Sequence, residues 1–202
     1  MSMRNNFQFS IFNFQKTGFT LIETMVAITI VTLAVAGPLF SADRAIVAAQ
    51  TARAQLTASY LAQEGIEYVR RMRDNEYLAA YLAGGADISA TAWSNFLTNP
   101  SSDVSSILEC RAPKKCTLDP ASGNIAPLAP CSGNVCSAPL YILSNGVYSQ
   151  QNGAGSTETQ FIRSIQAVDV ATNDEQIVST VSWWYHNVLY SVTVIDHLTP
   201  WQ

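Results

Sequence analysis

The chain has 202 residues, 11 basic against 15 acidic side chains and a formal net charge of −4. That length suits one modest domain with an added segment, and the acidic balance excludes a general nucleic-acid binder, which needs surplus cations. The four cysteines fit an oxidising compartment, where disulfides persist.

Residues 1–18 are polar and aromatic, with Arg4 and Lys16 as their only charges. They read as a leader and are set aside from the fold. Without them, 9 basic side chains face 15 acidic ones, a balance of −6. The next 24 residues, Phe19 to Ala42, hold a single charge, Glu23, so the segment is long enough for one bilayer crossing as a helix. An acid in hydrocarbon costs roughly 2.5 kcal/mol or more and marks a functional pairing. If the chain begins after Gly18, Glu23 falls in the first turns of that helix. There the helix dipole returns only about 0.3 to 1 kcal/mol. A cation from another chain would cover the rest. Basic residues ahead of the span leave the amino terminus cytoplasmic and send the remainder outward.

The string Lys16-Thr17-Gly18-Phe19-Thr20-Leu21-Ile22-Glu23 resembles the processing signal of type IV prepilins and pseudopilins. The resemblance implies a peptidase cut between Gly18 and Phe19, with Lys16 as the basic residue of the leader. It also implies N-methylation of Phe19, and a Glu23 that meets the terminal amine of a neighbouring subunit during assembly. The implied partners are other pilin or pseudopilin subunits, a prepilin peptidase and methylase, and an inner-membrane assembly platform. The implied location is the cytoplasmic membrane and then a pilus or pseudopilus. Ala34-Val35-Ala36 offers a competing signal of conventional small-x-small form. On that reading the mature chain is a secreted binding protein starting at Gly37. Without any cleavage it is a single-pass membrane protein with an external binding head.

Gly37-Pro38 predicts a kink or a locally melted turn. From Ser41 the helical pattern resumes, rich in alanine. Leu61, Gly65, Tyr68 and Met72 share a face, with Leu56, Tyr60 and Val69 nearby, and that stripe should be covered by a sheet. Glu67 stands three and four residues before Arg70 and Arg71, a spacing for exposed ion pairs. Gly84-Gly85 predicts the stop. The 65 residues from Phe19 to Ala83 would make a rod of about 97 Å. Its first part, residues 19–42, must lie in membrane or among other copies. Its second part, residues 43–83, lies against the head of residues 84–202.

In residues 86–139, rich in Ser, Ala, Asn, Pro and Gly, Trp93, Phe96 and Leu97 are the expected anchors of a short helix or turn. Cys110, Cys116, Cys131 and Cys136 permit three pairings that spacing cannot separate, although proximity favours the first with the second and the third with the fourth. A zinc site is the rival, without the usual two-residue gap. Arg111, Lys114 and Lys115 are the compact basic cluster of the head. They are candidates for an anion or DNA contact should this be an uptake pseudopilin, and otherwise a solvated loop. The final third predicts strands at 139–143, 147–148, 161–170, 177–185 and 188–195, with turns at Ser144-Asn145-Gly146 and His186-Asn187. Arg163 interrupts an apolar face and makes the 161–170 strand the least regular. Later segments such as Phe161-Ile162-Arg163 resemble pilin heads more loosely.

Asp169, Asp174, Glu175 and Asp196 could gather to hold Ca²⁺, without a ligand pattern to support them. His186 and His197 read as packing or edge residues. No catalytic, phosphate-binding or cofactor motif is present. The expected product is an α+β assembly subunit, of the minor kind, and not an enzyme: a long N-terminal helix on a C-terminal antiparallel sheet, with no metal or cofactor.

Overall fold

The computed structural model describes residues 18–98, 107–121 and 128–200. Helix α1 spans Leu21–Ala83, α2 spans Ile88–Thr98, and eight strands follow. The strands are β1 (Cys116–Leu118), β2 (Leu128–Pro130), β3 (Tyr141–Ile142), β4 (Tyr148–Ser149), β5 (Thr157–Glu158), β6 (Phe161–Ala171), β7 (Asp174–Tyr185) and β8 (Val188–Leu198). The class is α+β. Two compact units, residues 1–50 and 51–202, are taken in turn.

In the first unit α1 runs through Gly37-Pro38 without a break, so the melted turn expected there does not form. Pro38 withdraws one N–H from the ladder, a local loss that the flanking helix formers tolerate. The Ser41 hydroxyl donates to the Gly37 carbonyl at 3.0 Å on the next turn.

In the second unit α1 buries Ala58, Leu61, Ala62, Gly65, Ile66, Val69 and Met72, an i, i+3, i+4 stripe. Leu56 and Tyr60, expected beside that stripe, are 60% and 70% exposed. Each stands two residues from Ala58, which is about 200° round the helix. Glu67 pairs with Arg70 at 2.7 Å but not with Arg71, whose guanidinium lies 5.0 Å over the Tyr68 ring. Arg70 reaches Asp196 on β8 at 2.8 Å. The helix ends where Gly84 takes φ +68°, a backbone state that suits glycine after a last helical turn. Asp87 then starts α2 by accepting from the Ala90 N–H at 3.0 Å.

One sheet has the order β2-β1-β6-β7-β8 and a second the order β4-β3-β5. Every named pair is antiparallel. β7 and β8 join through His186 and Asn187, at φ +47° and +62°, the left-handed pair of a tight hairpin turn. The faces of β6 and β7 that meet α1 are Phe161, Arg163, Ile165, Ala167, and Ile177, Ser179, Val181, Trp183, all buried. Arg163 therefore sits in the core and does not break the strand. It pairs with Glu64 at 2.6 Å and donates to the carbonyls of Leu61 and Leu118 at 3.1 and 2.8 Å. Burial pushes its pKa below the usual arginine value, and Glu64 pulls it back. A buried charge is tolerated only when paired and hydrogen-bonded in this way.

Each of the four acids considered for a cation site faces a basic side chain of the protein. Asp169 and Glu175 turn to Arg111, Asp174 to His197 and Asp196 to Arg70. No metal-binding group of three or more occurs among the described residues.

Helix and sheet come closest at Gly65, where an added Cβ would lie 2.6 Å from Ser179 Oγ and 2.9 Å from Ile165 Cδ1. Gly65→Ala should lower stability by about 1 to 3 kcal/mol despite alanine's better helix propensity. Ser179→Ala in the same chain should recover part of the loss. Denaturant unfolding of the full chain in detergent reads both, and a Gly65→Ala variant as stable as the parent contradicts the close packing.

Burial also raises the Glu76 carboxyl above its ordinary value. An acid raised on folding binds its proton more tightly in the folded chain. Its contribution is therefore complete below the ordinary glutamate pKa of ~4.3 and lost as pH rises through the folded value. Unfolding midpoints across that window should fall with pH less steeply in Glu76→Gln than in the parent. Equal slopes would refute the burial.

Candidate functional site

The N-terminal stretch of α1 is built from its cap. Gly18, Phe19 and Thr20 are exposed and precede the helix, leaving the Gly18–Phe19 bond in non-helical chain. Thr20 is the cap: its carbonyl accepts from the Glu23 and Thr24 N–H groups at 3.1 and 3.2 Å, and its hydroxyl from the Glu23 N–H at 3.4 Å. Thr-x-x-Glu is the pattern of a capping box, a signal that the motif reading passed over. Glu23 thus stands at the third helical position.

What surrounds it is apolar and uncovered. Phe19, Leu21, Ile22, Met25, Val26, Ile28, Ile30, Val31, Leu33, Val35, Leu39 and Phe40 are all exposed. The helix is long and apolar enough to cross a membrane, with a mean hydropathy of 2.0 over its most apolar stretch. Its hydroxyls are satisfied internally: Thr24, Thr29 and Thr32 donate to the carbonyls of Leu21, Val26 and Thr29 at 2.8 to 2.9 Å. Such back-bonding removes the cost of a hydroxyl in an apolar medium. Among the described residues nothing does the same for the Glu23 carboxylate. Among the described residues one acid thus stands without a partner in an apolar surface.

The other predicted site residues are elsewhere. Lys16 lies outside the described residues. Gly37 and Pro38 are helical and exposed, as are Ala34, Val35 and Ala36. The cysteines form two disulfides, Cys110–Cys116 and Cys131–Cys136, each closing a short loop.

Arg111, Lys114 and Lys115 do not make a free cationic patch. Arg111 Nε and Nη2 donate to Glu175 Oε1 and Oε2 at 3.0 and 2.6 Å, and Nη1 lies 3.4 Å from Asp169. Glu175 is 1% exposed, so its buried charge needs that arginine. The hydrogen bonds to Glu175 hold the Arg111 pKa above its ordinary value. Lys114 stands 3.9 Å from Glu109, and Lys115 is half-buried.

Comparison with family models matches residues 13–37 to the prokaryotic N-terminal methylation motif. No curated protein and no solved structure matches the chain. The matched segment contains the exposed Gly18–Phe19 bond, the Thr20 cap and Glu23, and it runs into the apolar helix that such a motif precedes. The chain thus carries at residues 13–37 the methylation motif characteristic of type IV pilins and pseudopilins, and that motif continues into a long apolar helix.

Proposed function

We propose that the chain is a structural subunit of a type IV pilus or of a related secretion-type pseudopilus, stored in the cytoplasmic membrane and assembled through α1. The observation that carries this reading is the unpaired carboxylate of Glu23 at the start of an exposed apolar helix, directly after a methylation motif. A prepilin peptidase would cut between Gly18 and Phe19, in the non-helical stretch that the cap leaves open. Before the cut the Phe19 nitrogen is an uncharged amide. After it, the nitrogen is an ammonium, and methylation of an amine keeps that charge. Cleavage therefore creates the cation that a carboxylate in an apolar bundle requires. Because the pair is desolvated, its attraction is far stronger than in water. Neighbouring helices cover the aliphatic side chains, which bilayer lipid covers beforehand.

The disulfide-closed loops at 110–116 and 131–136 add an irregular elaboration to the head. This supports a minor subunit, at the tip or in priming, over the repeating major one. No site in the head is read as catalytic.

Intact mass and N-terminal sequencing of protein from its own host should give a chain that starts at Phe19 with one added methyl group. Glu23→Ala should still be cleaved, yet enter filaments at least about tenfold less, the scale of an uncompensated buried charge. A chain that begins at Gly37 or keeps its leader, or a Glu23→Ala variant that assembles normally, overturns the proposal.

A further inference from the structure

The sequence holds two Asn-Gly pairs, Asn145-Gly146 and Asn152-Gly153, in exposed chain on either side of β4. Asparagine before glycine is the dipeptide most able to close on itself. The glycine nitrogen attacks the asparagine side-chain carbonyl, and no Cβ obstructs the approach. The attack has three requirements. The glycine N–H must be free to give up its proton, the asparagine side chain must be free to swing onto it, and the carbonyl oxygen must bear developing negative charge. The two pairs differ in all three.

At Asn145 both reacting groups are engaged. The Gly146 N–H donates to the Leu143 carbonyl at 2.9 Å, and Asn145 Oδ1 accepts from the Val147 N–H at 3.0 Å, an Asx-turn. Both bonds must break before the ring closes. At Asn152 the Gly153 N–H has no hydrogen-bond partner among the described residues. Asn152 and Gly153 are exposed, and no atom lies within 4 Å of where a Cβ on Gly153 would stand. The Ser156 hydroxyl lies 3.3 Å from Asn152 Oδ1 and 2.8 Å from the Gly153 carbonyl. The Ser156 N–H donates to that same carbonyl at 3.1 Å and so holds the hydroxyl over the dipeptide. Its single proton is then at hand for Oδ1 as negative charge grows there.

We infer that Asn152-Gly153 is a self-modifying site, which converts through a cyclic imide to aspartate and isoaspartate without an enzyme, while Asn145-Gly146 is spared. Ser156 is the donor to the reacting carbonyl. The Gly153 nitrogen loses its proton and bonds to Asn152 Cγ. The bond from Cγ to Nδ2 breaks, and Nδ2 leaves as ammonia with that proton. Water then opens the five-membered imide at either carbonyl. The net reaction consumes one water, releases one ammonia and transfers no electrons. The head gains one negative charge, and in the isoaspartate form the main chain between β4 and β5 gains one methylene. Those two strands flank β3 in the smaller sheet, so the change falls on the loop that spans it. Because water is the only co-reactant, converted heads accumulate with age.

The test incubates the full chain in detergent, with its disulfides intact, in mildly alkaline buffer. Chymotryptic cleavage after Tyr148 puts the two pairs in separate peptides. Mass spectrometry with isoaspartyl methyltransferase labelling then counts the products at each. Conversion at Asn152 should run at least about tenfold faster than at Asn145, the cost of freeing two hydrogen bonds before closure. In the same chain unfolded in urea the two rates should converge, since the contrast comes from the fold. Ser156→Ala should slow conversion at Asn152 about fivefold, the worth of one hydrogen bond to a developing charge. It should leave Asn145 unchanged, and Ser156→Thr should restore the rate. Equal rates in the folded chain, a faster Asn145, the same contrast in urea or a product without isoaspartate overturns the inference. A Ser156→Ala variant that converts as fast as the parent, or faster, overturns the part given to that serine.

Discussion

A carboxylate at the third position of a helix clothed in aliphatic side chains can be stabilised in three ways: by water, by a proton or by a cation. Water at Glu23 means water along Leu21, Ile22, Met25 and Val26 as well, all of them exposed and all costly to leave hydrated. A proton removes the charge but also removes any reason for an acid in that place. A cation keeps the charge and lets the apolar surface be covered at the same time. The threonines show the difference, since each closes its own hydrogen bond within α1 and asks nothing of a neighbour. Glu23 is the polar group of this segment that has no partner among the described residues.

The second unit follows from a different constraint, the close approach of α1 to the sheet. Ala58, Ala62 and Gly65 keep the helix surface low there, and the buried sides of β6 and β7 fill the space. Arg163 lies across this interface, with hydrogen bonds to α1 through Glu64 and Leu61 and to β1 through Leu118. Beside it Asp119 accepts from the buried Ser149 hydroxyl at 3.0 Å, which joins β4 to the segment after β1. Directional polar contacts of this kind tie helix and strands together, and Arg163 Nε is left without a hydrogen-bond partner among the described residues. The result is a head held firmly on its own stretch of helix.

Periodicity and punctuation made much of this legible. Gly84-Gly85 marked the end of α1, the β7–β8 hairpin was readable at His186-Asn187, and the nearest-neighbour cysteines are the ones that pair. The short strands β1, β2 and β5 were not readable, because two or three residues carry no period and their partners are distant in sequence. Arg163 misled for a related reason: alternation treats arginine as outward, whereas Glu64 and two main-chain carbonyls make it an inward residue. Arg111 looked like part of a basic patch because its partner Glu175 lies 64 residues further on. At the N-terminal site the motif was plain in the sequence, while the Thr20 cap needed the geometry to be noticed.

The most direct measurement is a dipolar distance across the proposed pair. Filaments would be formed with ¹³C at the Glu23 carboxyl of this chain and ¹⁵N at the N-terminal amines of the other fibre subunits. Solid-state recoupling between those nuclei reports only contacts between different subunits. The account predicts a clear coupling at ion-pair separation, about 3 to 4 Å, in that sample. A coupling seen only when both labels share one chain, or none at all, would contradict it.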